Sequence, residues 1–405
     1  ICMDSDGNPV ELICADDQPL AAFVFKTIAD PFVGKMSYVK VLSGKLTADQ
    51  IPVNTTTGQP ERLGKIIFVK GKKQEDTPQI GAGDIGAVTK LAGTNTGDML
   101  CDPSRPLKCE PMEFPAPCLS IAFKPKAKGD EGKIAQALQR LMEEDRTIAY
   151  ENNVETKQQI VTGLGEQHLD VLVSKMKAKF GVDIVMENPR VPYRETIRKK
   201  VKVQGKHKKQ SGGHGQYGDV WIEFEPCDSD DLVFAENVFG GSVPRNFFPA
   251  VEKGLRDCIK KGVLAGYPVV GLKATLTDGS YHPVDSSEMS FKMAASIAYK
   301  EGLPKASPCI LEPIGSLKAY VPDNNTGDLM GELNKRRGRV LGMTPIAGGK
   351  QIIEADIPMT GLFGYCTVLR SMTGGRGSYA YEFARYEQAP SDVQEREIAA
   401  RATEE

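Results

Sequence analysis

The sequence predicts a multidomain protein in which a small β-barrel is followed by α+β domains, two of them built in the order βαββαβ. Three observations predict this fold class. The chain has 405 residues, enough for two to four domains at roughly 150 residues each. Residues 18–110 read as short strands with no helical period between them. Further along, one alternating pattern of strands and helices occurs twice.

The barrel is predicted for residues 18–110. Runs rich in β-branched and aromatic residues occur there at 22–25, 38–42 and 65–69, separated by Gly, Pro and Asp. Because no helix intervenes, a small closed barrel is the expected fold. The Pro-containing stretch 102–117 then predicts a semi-rigid linker.

The first βαββαβ unit is predicted for residues 118–186. Helices are expected at 131–144 and 166–180, because apolar residues recur there at helical spacing, and Gly181 sits where a C-cap belongs. The strands of this unit are expected at 119–123, 147–152, 157–163 and 182–186. The second unit has expected strands at 314–321, 339–344, 351–357 and 379–383 and expected helices at 326–337 and 362–372. Both have the split arrangement of ferredoxin-like folds.

A middle domain is predicted between the two units, at about 191–310. Its strands are expected near 198–203, 219–225 and 269–277, and its helices at 248–261 and 286–301. Asp285 and Glu288 have the spacing of a capping box at the start of the last helix. A glycine-rich loop, Ser211 to Gly218, lies between the first two strands. The final residues, 391–405, are expected to form a helix or a frayed tail.

Composition excludes several classes of protein. The formal net charge is −2, so nucleic-acid binding would have to come from local clusters such as 194–209 and 335–339. Nine Cys are scattered singly, with no Cys-x-x-Cys pair, which argues against a disulfide framework or a zinc knuckle and for a reducing cytosol. No stretch of about 18 apolar residues predicts a membrane span, and no signal peptide is expected, because the first residues have neither a basic region nor an apolar core. The first residue is not Met, so a fragment is expected.

Nucleotide-binding motifs fail on inspection. Gly132-Lys133 has neither the first glycine nor the hydroxyl of a phosphate-binding loop. The stretch 213–218 matches Gly-x-Gly-x-x-Gly, but polar residues precede it and a strand follows it, whereas a dinucleotide site needs a helix there.

Catalytic and metal sites fare no better. A metal site of His214, His282 and Asp285 would need two loops to meet, and no His-x-x-x-His or Cys partner supports it. A catalytic triad using Ser286 or Ser287 is not expected, because serines at a helix start usually cap it. His168, on a helix with an apolar stripe, is expected to be structural.

Two interpretations of the glycine-rich loop remain from its residues alone. Glycine allows close approach of a backbone to another molecule, and the loop adjoins the basic run 194–209. Contact with a nucleic-acid backbone would use such lysines and main-chain N–H groups. The alternative is a flexible hairpin with no partner.

Several motifs resemble one family. The stretch 206–218, KHKKQSGGHGQYG, resembles the first tip loop of domain IV of bacterial elongation factor G, and 279–291, GSYHPVDSSEMSF, resembles the second. Agreement extends to DPFVG at 30–34, GLGEQHLD at 163–170, LEPI at 311–314 and KRRG at 335–338. The resemblance covers nearly the whole chain and the order of its domains.

The resemblance implies domains II to V of that family, without the N-terminal GTPase domain. The implied organisation is a linker from the GTPase domain at 1–17, barrel domain II at 18–110, ferredoxin-like domain III at 115–190, domain IV at 191–310, ferredoxin-like domain V at 311–388, and a C-terminal helix at 389–405 packing back on domain IV. This chain would then hold no catalytic site and no cofactor. GTP and Mg²⁺ would bind the missing domain of a parent GTPase.

The resemblance also implies partners and site residues. A cytoplasmic, monomeric protein that contacts both ribosomal subunits, ribosomal RNA, the tRNA–mRNA duplex and its own GTPase domain is expected, acting in translocation. RNA minor grooves are read by shape and short polar contacts, which suits small residues at the tip. The residues expected to contact RNA are Lys208, Lys209, Ser211, Gly212, Gly213, His214, Gly215, Gln216, Tyr281, His282, Pro283 and Asp285.

One residue departs from the family pattern. Members commonly carry Arg where this chain has His214, which removes a fixed positive charge from the tip. A paralogue specialised for ribosome recycling or for tetracycline-type ribosomal protection is therefore the alternative function. The tip loops of protection proteins differ from 211–218, which makes that option the weaker one.

Overall fold

The computed structural model describes residues 2–4, 6–30, 32–71, 73–210 and 215–402. The chain folds into two compact units, Ile1–Arg190 and Val191–Glu405. None of the helices in the described ranges is both long and apolar enough to cross a lipid bilayer.

The first unit begins with the barrel. Its strands are β1 (Cys2–Met3), β2 (Pro9–Val10), β3 (Ala21–Asp30), β4 (Gly34–Ser43), β5 (Leu46–Thr47), β6 (Val53–Asn54), β7 (Gln59–Pro60), β8 (Ile66–Lys70), β9 (Lys73–Asp76), β10 (Gln79–Ile80), β11 (Ile85–Thr89), β12 (Met99–Cys101) and β13 (Lys108–Cys109). Eight form an antiparallel sheet in the order β7-β6-β12-β3-β4-β11-β8-β9. Side chains alternate along the two long strands, so Val24, Val39 and Val41 are fully buried in the core. A small separate sheet, β13-β1-β2, joins the start of the chain to the residues that leave the barrel.

The same unit continues with the first βαββαβ domain. Its elements are β14 (Leu119–Pro125), α1 (Glu131–Glu144), β15 (Ala149–Asn153), β16 (Gln158–Gly163), α2 (Glu166–Phe180) and β17 (Ile184–Glu187). The antiparallel sheet runs β15-β16-β14-β17, and both helices cover it with their apolar stripes. Both helices have the predicted bounds, and Gly181 ends α2 with the left-handed φ of 67° that favours glycine at a C-cap.

His168 holds two elements of this domain together. Its Nδ1 accepts the backbone N–H of Leu164 at 3.0 Å, and its Nε2 lies 2.9 Å from the Asp145 carboxylate. The prediction of a structural histidine is confirmed by these bonds.

Glu144 ties the barrel to this domain. Its carboxylate accepts the backbone N–H of Ala29 at 3.1 Å and hydrogen bonds from Lys175 and Lys179 at 2.7 and 2.8 Å. Burial would raise the pKa of Glu144, but the two lysines outweigh it and lower that pKa. The last helical residue of α1 is thus fixed, ionised, against strand β3.

The second unit begins with the middle domain. Its elements are β18 (Arg194–Ile197), β19 (Val201–Gln210), β20 (Gly215–Pro226), β21 (Val233–Glu236), α3 (Phe248–Cys258), β22 (Leu272–Ser280) and α4 (Glu288–Gly302). The sheet runs β19-β20-β22-β21, and only its last pair is parallel. Helix α4 packs on the first two strands with Phe291, Ala294 and Ala298 fully buried, and α3 packs on α4.

The last domain repeats the βαββαβ order. Its elements are β23 (Pro308–Pro322), α5 (Thr326–Lys335), β24 (Arg339–Ile346), β25 (Lys350–Pro358), α6 (Tyr365–Met372), β26 (Ser378–Gln388) and α7 (Ser391–Ala402). Strand β23 lies between β25 and β26, and β24 lies outside β25. A barrel followed by α+β domains, two of them βαββαβ, confirms the predicted fold class.

The sequence predicted the middle domain and the last domain as separate domains, but strand pairing joins them. Strand β18, assigned to the middle domain, pairs with the first residues of β23 in the sheet of the last domain. Helix α7 packs on the same region, where Val393 joins Tyr193, Tyr267 and Ile310 in one apolar cluster.

Candidate nucleic-acid interface

Two long strands flank the glycine-rich segment as an antiparallel pair. Strands β19 and β20 pair without interruption from Val201↔Phe224 out to Gln210↔Gly215. The prediction of a loop from Ser211 to Gly218 is therefore wrong for its second half, because residues 215–218 belong to β20. Four predicted site residues, Ser211, Gly212, Gly213 and His214, lie outside the described residues.

The described glycines of this hairpin admit a neighbouring part of the same chain. A Cβ added to Gly218 would lie 2.5 Å from the carbonyl oxygen of Ser290, at the start of α4. One added to Gly205 would lie 2.6 Å from the backbone nitrogen of Ala298. Gly215 likewise faces the Asp285 carboxylate, which its Cβ would approach to 2.9 Å. Internal packing thus explains Gly205, Gly215 and Gly218. The last two belong to the predicted loop, for which contact with an outside molecule was one of two interpretations.

The second predicted loop lies directly against the end of the hairpin. Gly215 donates its N–H to the Asp285 carboxylate at 3.1 Å, and Tyr217 donates its N–H to the Asp285 carbonyl at 2.9 Å. The Ser286 hydroxyl donates to the Tyr217 carbonyl at 2.9 Å. The structure therefore brings together the two stretches that the sequence singled out separately.

Asp285 has another role than the capping one predicted for it. The N-cap of α4 is Ser287, whose hydroxyl accepts the N–H of Ser290, while the Ser290 hydroxyl accepts the N–H of Ser287. Two serines thus form the capping box expected of Asp285 and Glu288. Asp285 is half-buried and its side chain is engaged with Gly215, which makes it a link between loops.

His282 is the best-defined exposed group of the second loop. Its Nδ1 accepts the backbone N–H groups of Val284 and Asp285 at 3.3 and 3.1 Å, and its own backbone N–H donates to the Ser286 hydroxyl at 2.8 Å. This pattern assigns the imidazole proton to Nε2. The side chain is 52% exposed, so its N–H donor is held in one orientation at the protein surface.

A hydrogen-bond chain centred on the buried Asp219 supports the tip from below. The Ser280 hydroxyl donates to the Asp219 carboxylate at 2.7 Å, so the Tyr217 hydroxyl must donate to Ser280, also at 2.7 Å. Gln204 donates to the second Asp219 oxygen at 2.8 Å. Sequence reasoning missed these four residues, although the alternation of polar side chains along β19 and β20 was the available signal.

The exposed side chains at the tip come from both loops. Lys208 and Lys209 are exposed, and within the described part of the chain neither makes an ion pair. Gln216 is exposed and its side-chain oxygen lies 2.9 Å from His207 Nε2. The remaining exposed predicted residues are Tyr281, His282 and Pro283.

Much of the basic run 194–209 is used internally. Arg194 donates to the carbonyls of Pro192 and Tyr193, and Arg198 donates to the carbonyl of Ser307. Lys200 forms ion pairs with two glutamates of β20. The positive charge that faces solvent near the tip therefore comes from fewer residues than the sequence suggested. It comes from the exposed lysines at 202, 206, 208 and 209.

The second basic cluster, 335–339, is mainly structural. Arg336 donates to the carbonyls of Gly361 and Phe363 at 2.7 Å. Arg337 pairs with the buried Glu312, and Arg339 with the buried Asp356. These arginines connect the helices and sheet of the last domain.

No group of three or more His, Cys, Asp or Glu side chains among the residues that the structure describes is arranged to hold a metal ion. The hydrogen-bonded tip offers instead oriented polar donors, lysines and an exposed tyrosine. That combination suits contact with phosphates and with polar edges of RNA.

Comparison with known proteins agrees with this architecture. Four family models match in succession: elongation factor G domain 2 over residues 19–103, domain III over 114–188, domain IV over 189–307 and the C-terminus over 309–397. A crystal structure of a protein from Thermus thermophilus is 38% identical, with a TM-score of 0.78, and the match covers 96% of this chain and 58% of that chain. This chain thus spans little more than half the length of that protein. From these matches and the fold they accompany, the chain belongs to the elongation factor G family and comprises its domains II, III, IV and C-terminal domain.

Proposed function

We propose that this chain is the ribosome-binding part of an elongation factor G-type protein, and that its domain IV tip contacts the tRNA–mRNA duplex during translocation. The observation that carries the proposal is the joined tip. Two loops meet through Asp285, and they present Lys208, Lys209 and the oriented His282 donor on one end of the domain.

The chemistry of these groups fits an RNA duplex. The lysines supply charge for phosphates, and within the described residues their ammonium groups have no ion pair to give up on binding. The His282 N–H and the Gln216 amide are short polar groups, of the kind that contact 2′-hydroxyls and base edges in a shallow minor groove. Because the described backbone of the tip is fixed by hydrogen bonds, little ordering of that part is required when RNA binds.

The electrostatic part is tested by salt dependence of ribosome binding. If the four lysines at 202, 206, 208 and 209 meet phosphates, affinity should fall roughly 50- to 150-fold over a fourfold rise in salt. The double variant Lys208→Ala/Lys209→Ala should reduce the slope of log affinity against log salt by about 1.4 to 1.8.

Lys200→Ala is the matched control on the same edge of the sheet. Its ammonium already faces Glu223 and Glu225 at 2.7 and 3.3 Å, so we expect it to leave the slope unchanged. Equal slopes for the parent, the double variant and the control would refute the assignment of phosphate contacts to the tip.

The role of the tip in translocation needs a protein that joins these domains to a GTPase domain. There, His282→Ala should slow movement of tRNA and mRNA while GTP turnover on ribosomes stays largely unchanged, because the residue lies in domain IV and its removal leaves nucleotide chemistry alone. A parallel loss of both rates would contradict a specific role for the tip.

A further inference from the structure

Two cysteines meet where the chain enters and leaves the barrel. Cys2 lies in β1 and Cys109 in β13, and they face each other directly in the antiparallel register of the small sheet β13-β1-β2. Their sulfur atoms are 3.0 Å apart, closer than the ~3.5 to 4.0 Å preferred by non-bonded heavy atoms. No disulfide bond joins any two of the described cysteines.

We propose that Cys2 and Cys109 are a redox site, which forms a reversible cross-strand disulfide by exchange with a small-molecule disulfide. Directly opposed residues of antiparallel strands have Cα atoms about 4.5 to 5.5 Å apart, which is within the range that a disulfide spans. The two sulfurs need approach by only about 1 Å to reach bonding distance. Neither strand has to leave its partner.

The surroundings determine the order of the two exchange steps. Cys2 is 9% exposed, whereas Cys109 is half-buried, so Cys109 is the thiol that a small molecule reaches first. Its thiolate attacks one sulfur of oxidised glutathione, and one glutathione thiolate leaves. The Cys2 thiolate then attacks the Cys109 sulfur and displaces the second glutathione. Two protein thiols lose two protons and two electrons, and one glutathione disulfide becomes two thiols.

The site is built for slow exchange. Burial, and then the neighbouring Cys2 thiol, raise the pKa of Cys109 to about 12, so thiolate is scarce near neutral pH. We therefore expect the bond to form over minutes to hours. Cys101 lies in the same apolar cluster, but its thiol is directed at the carbonyl of Leu107 at 3.7 Å and it is fully buried.

The test is peptide mapping of the native chain after incubation with oxidised glutathione. Free thiols are alkylated, and the chain is digested with trypsin and Glu-C without reduction. Cleavage after Glu11 releases residues 1–11, in which Cys2 is the single cysteine, and cleavage after Lys108 and Glu113 releases residues 109–113, in which Cys109 is the single cysteine. We expect these two peptides to be recovered as one cross-linked species, about 2 Da lighter than their sum, and to separate after dithiothreitol.

Two variants make the test specific. Cys109→Ser should abolish the cross-link, and Cys14→Ser, which removes the exposed cysteine of the same N-terminal segment, should leave it intact. Recovery of residues 109–113 only as a glutathione adduct would overturn the proposal. So would a cross-link of Cys2 to Cys14, or of Cys109 to Cys101, in the folded chain.

Discussion

Replacing Gly218 by Ala should destabilise the second unit, because the added methyl group has no room. The residue lies in β20, where its Cβ would stand 2.5 Å from the carbonyl oxygen of Ser290 and 3.0 Å from the nitrogen of Phe291. Both atoms are backbone of the first turn of α4, so no side-chain rotation relieves the contact. The helix start must move by about 1 Å from a surface on which Phe291 is fully buried.

Overpacking of this kind costs about 2 to 3 kcal/mol. For a unit of this size, such a loss lowers the midpoint of thermal unfolding by roughly 5 to 10 °C. Urea denaturation followed by circular dichroism would give the change in free energy of unfolding, and the slope of the transition should stay the same.

Gly331→Ala is the matched control in the same unit. Gly331 is exposed within α5, and a Cβ there would meet no atom within 4 Å. Alanine should stabilise this helix by about 0.5 to 1 kcal/mol. If Gly218→Ala unfolds at the same urea concentration as the parent, the hairpin glycine is not needed for packing and the close approach of α4 is not a constraint.

Three further substitutions test carboxylates that are held by hydrogen bonds or ion pairs. Glu195→Gln should lower the free energy of unfolding by on the order of 3 kcal/mol, since the buried carboxylate accepts three backbone N–H groups at 2.8 to 3.1 Å; an unchanged urea midpoint would contradict this. Arg385, more than Arg339, holds the pKa of Asp356 below its ordinary value. The ion pair between Arg385 and Asp356 therefore stabilises the folded state above about pH 4, and this contribution is lost as the pH falls below that value. Asp356→Asn should therefore cost about 1 to 2 kcal/mol at pH 7, and the cost should shrink as the pH falls below about 4, whereas a cost that does not change with pH would refute the charge argument. Glu144→Gln should weaken the bond between the barrel and α1 by about 1 to 2 kcal/mol, measured as a shift in urea denaturation of the first unit, and no shift would show that the two lysines do not need an ionised partner.

Local sequence patterns predicted the helices of the first unit to the residue. Helices α1 and α2 follow from apolar spacing and, for α2, from the glycine at 181, and both signals are properties of neighbouring residues. The order of strands and helices in the two βαββαβ domains could be predicted in the same way, because each is a succession of such local patterns.

Pairing between strands that are distant in the sequence was harder to predict. Residues 204–210 are mostly polar, and the predicted strand ended near residue 203, but β20 pairs with them across the hairpin and α4 packs against Gly205. Strand β23 begins at Pro308, six residues before the predicted start, because Arg194–Ile197 supplies a partner from far away in the sequence. Capping by a serine at the start of α4 was predicted and is confirmed at Ser287, whereas the capping box was assigned to Asp285 and Glu288 because they have the same three-residue spacing as Ser287 and Ser290.

The candidate site was recognised by motif and only partly by chemistry. Lys208, Lys209 and His282 are exposed as an RNA-contacting role requires, whereas Gly215 and Asp285 are engaged with each other. A single sequence does not distinguish a glycine that admits a partner from a glycine that admits its own helix. The distinction depends on where α4 lies, and that is set by its packing on β19, β20 and α3.

The pairing of β18 with β23 has a mechanical consequence for the second unit. Domain IV and the C-terminal domain share a sheet, in which backbone hydrogen bonds join β18 to β23. Glu195 also holds β18 to residues 264–267. A rotation imposed on the C-terminal domain would therefore be transmitted to the β19–β20 hairpin largely as rigid-body motion, with little bending where the two domains join.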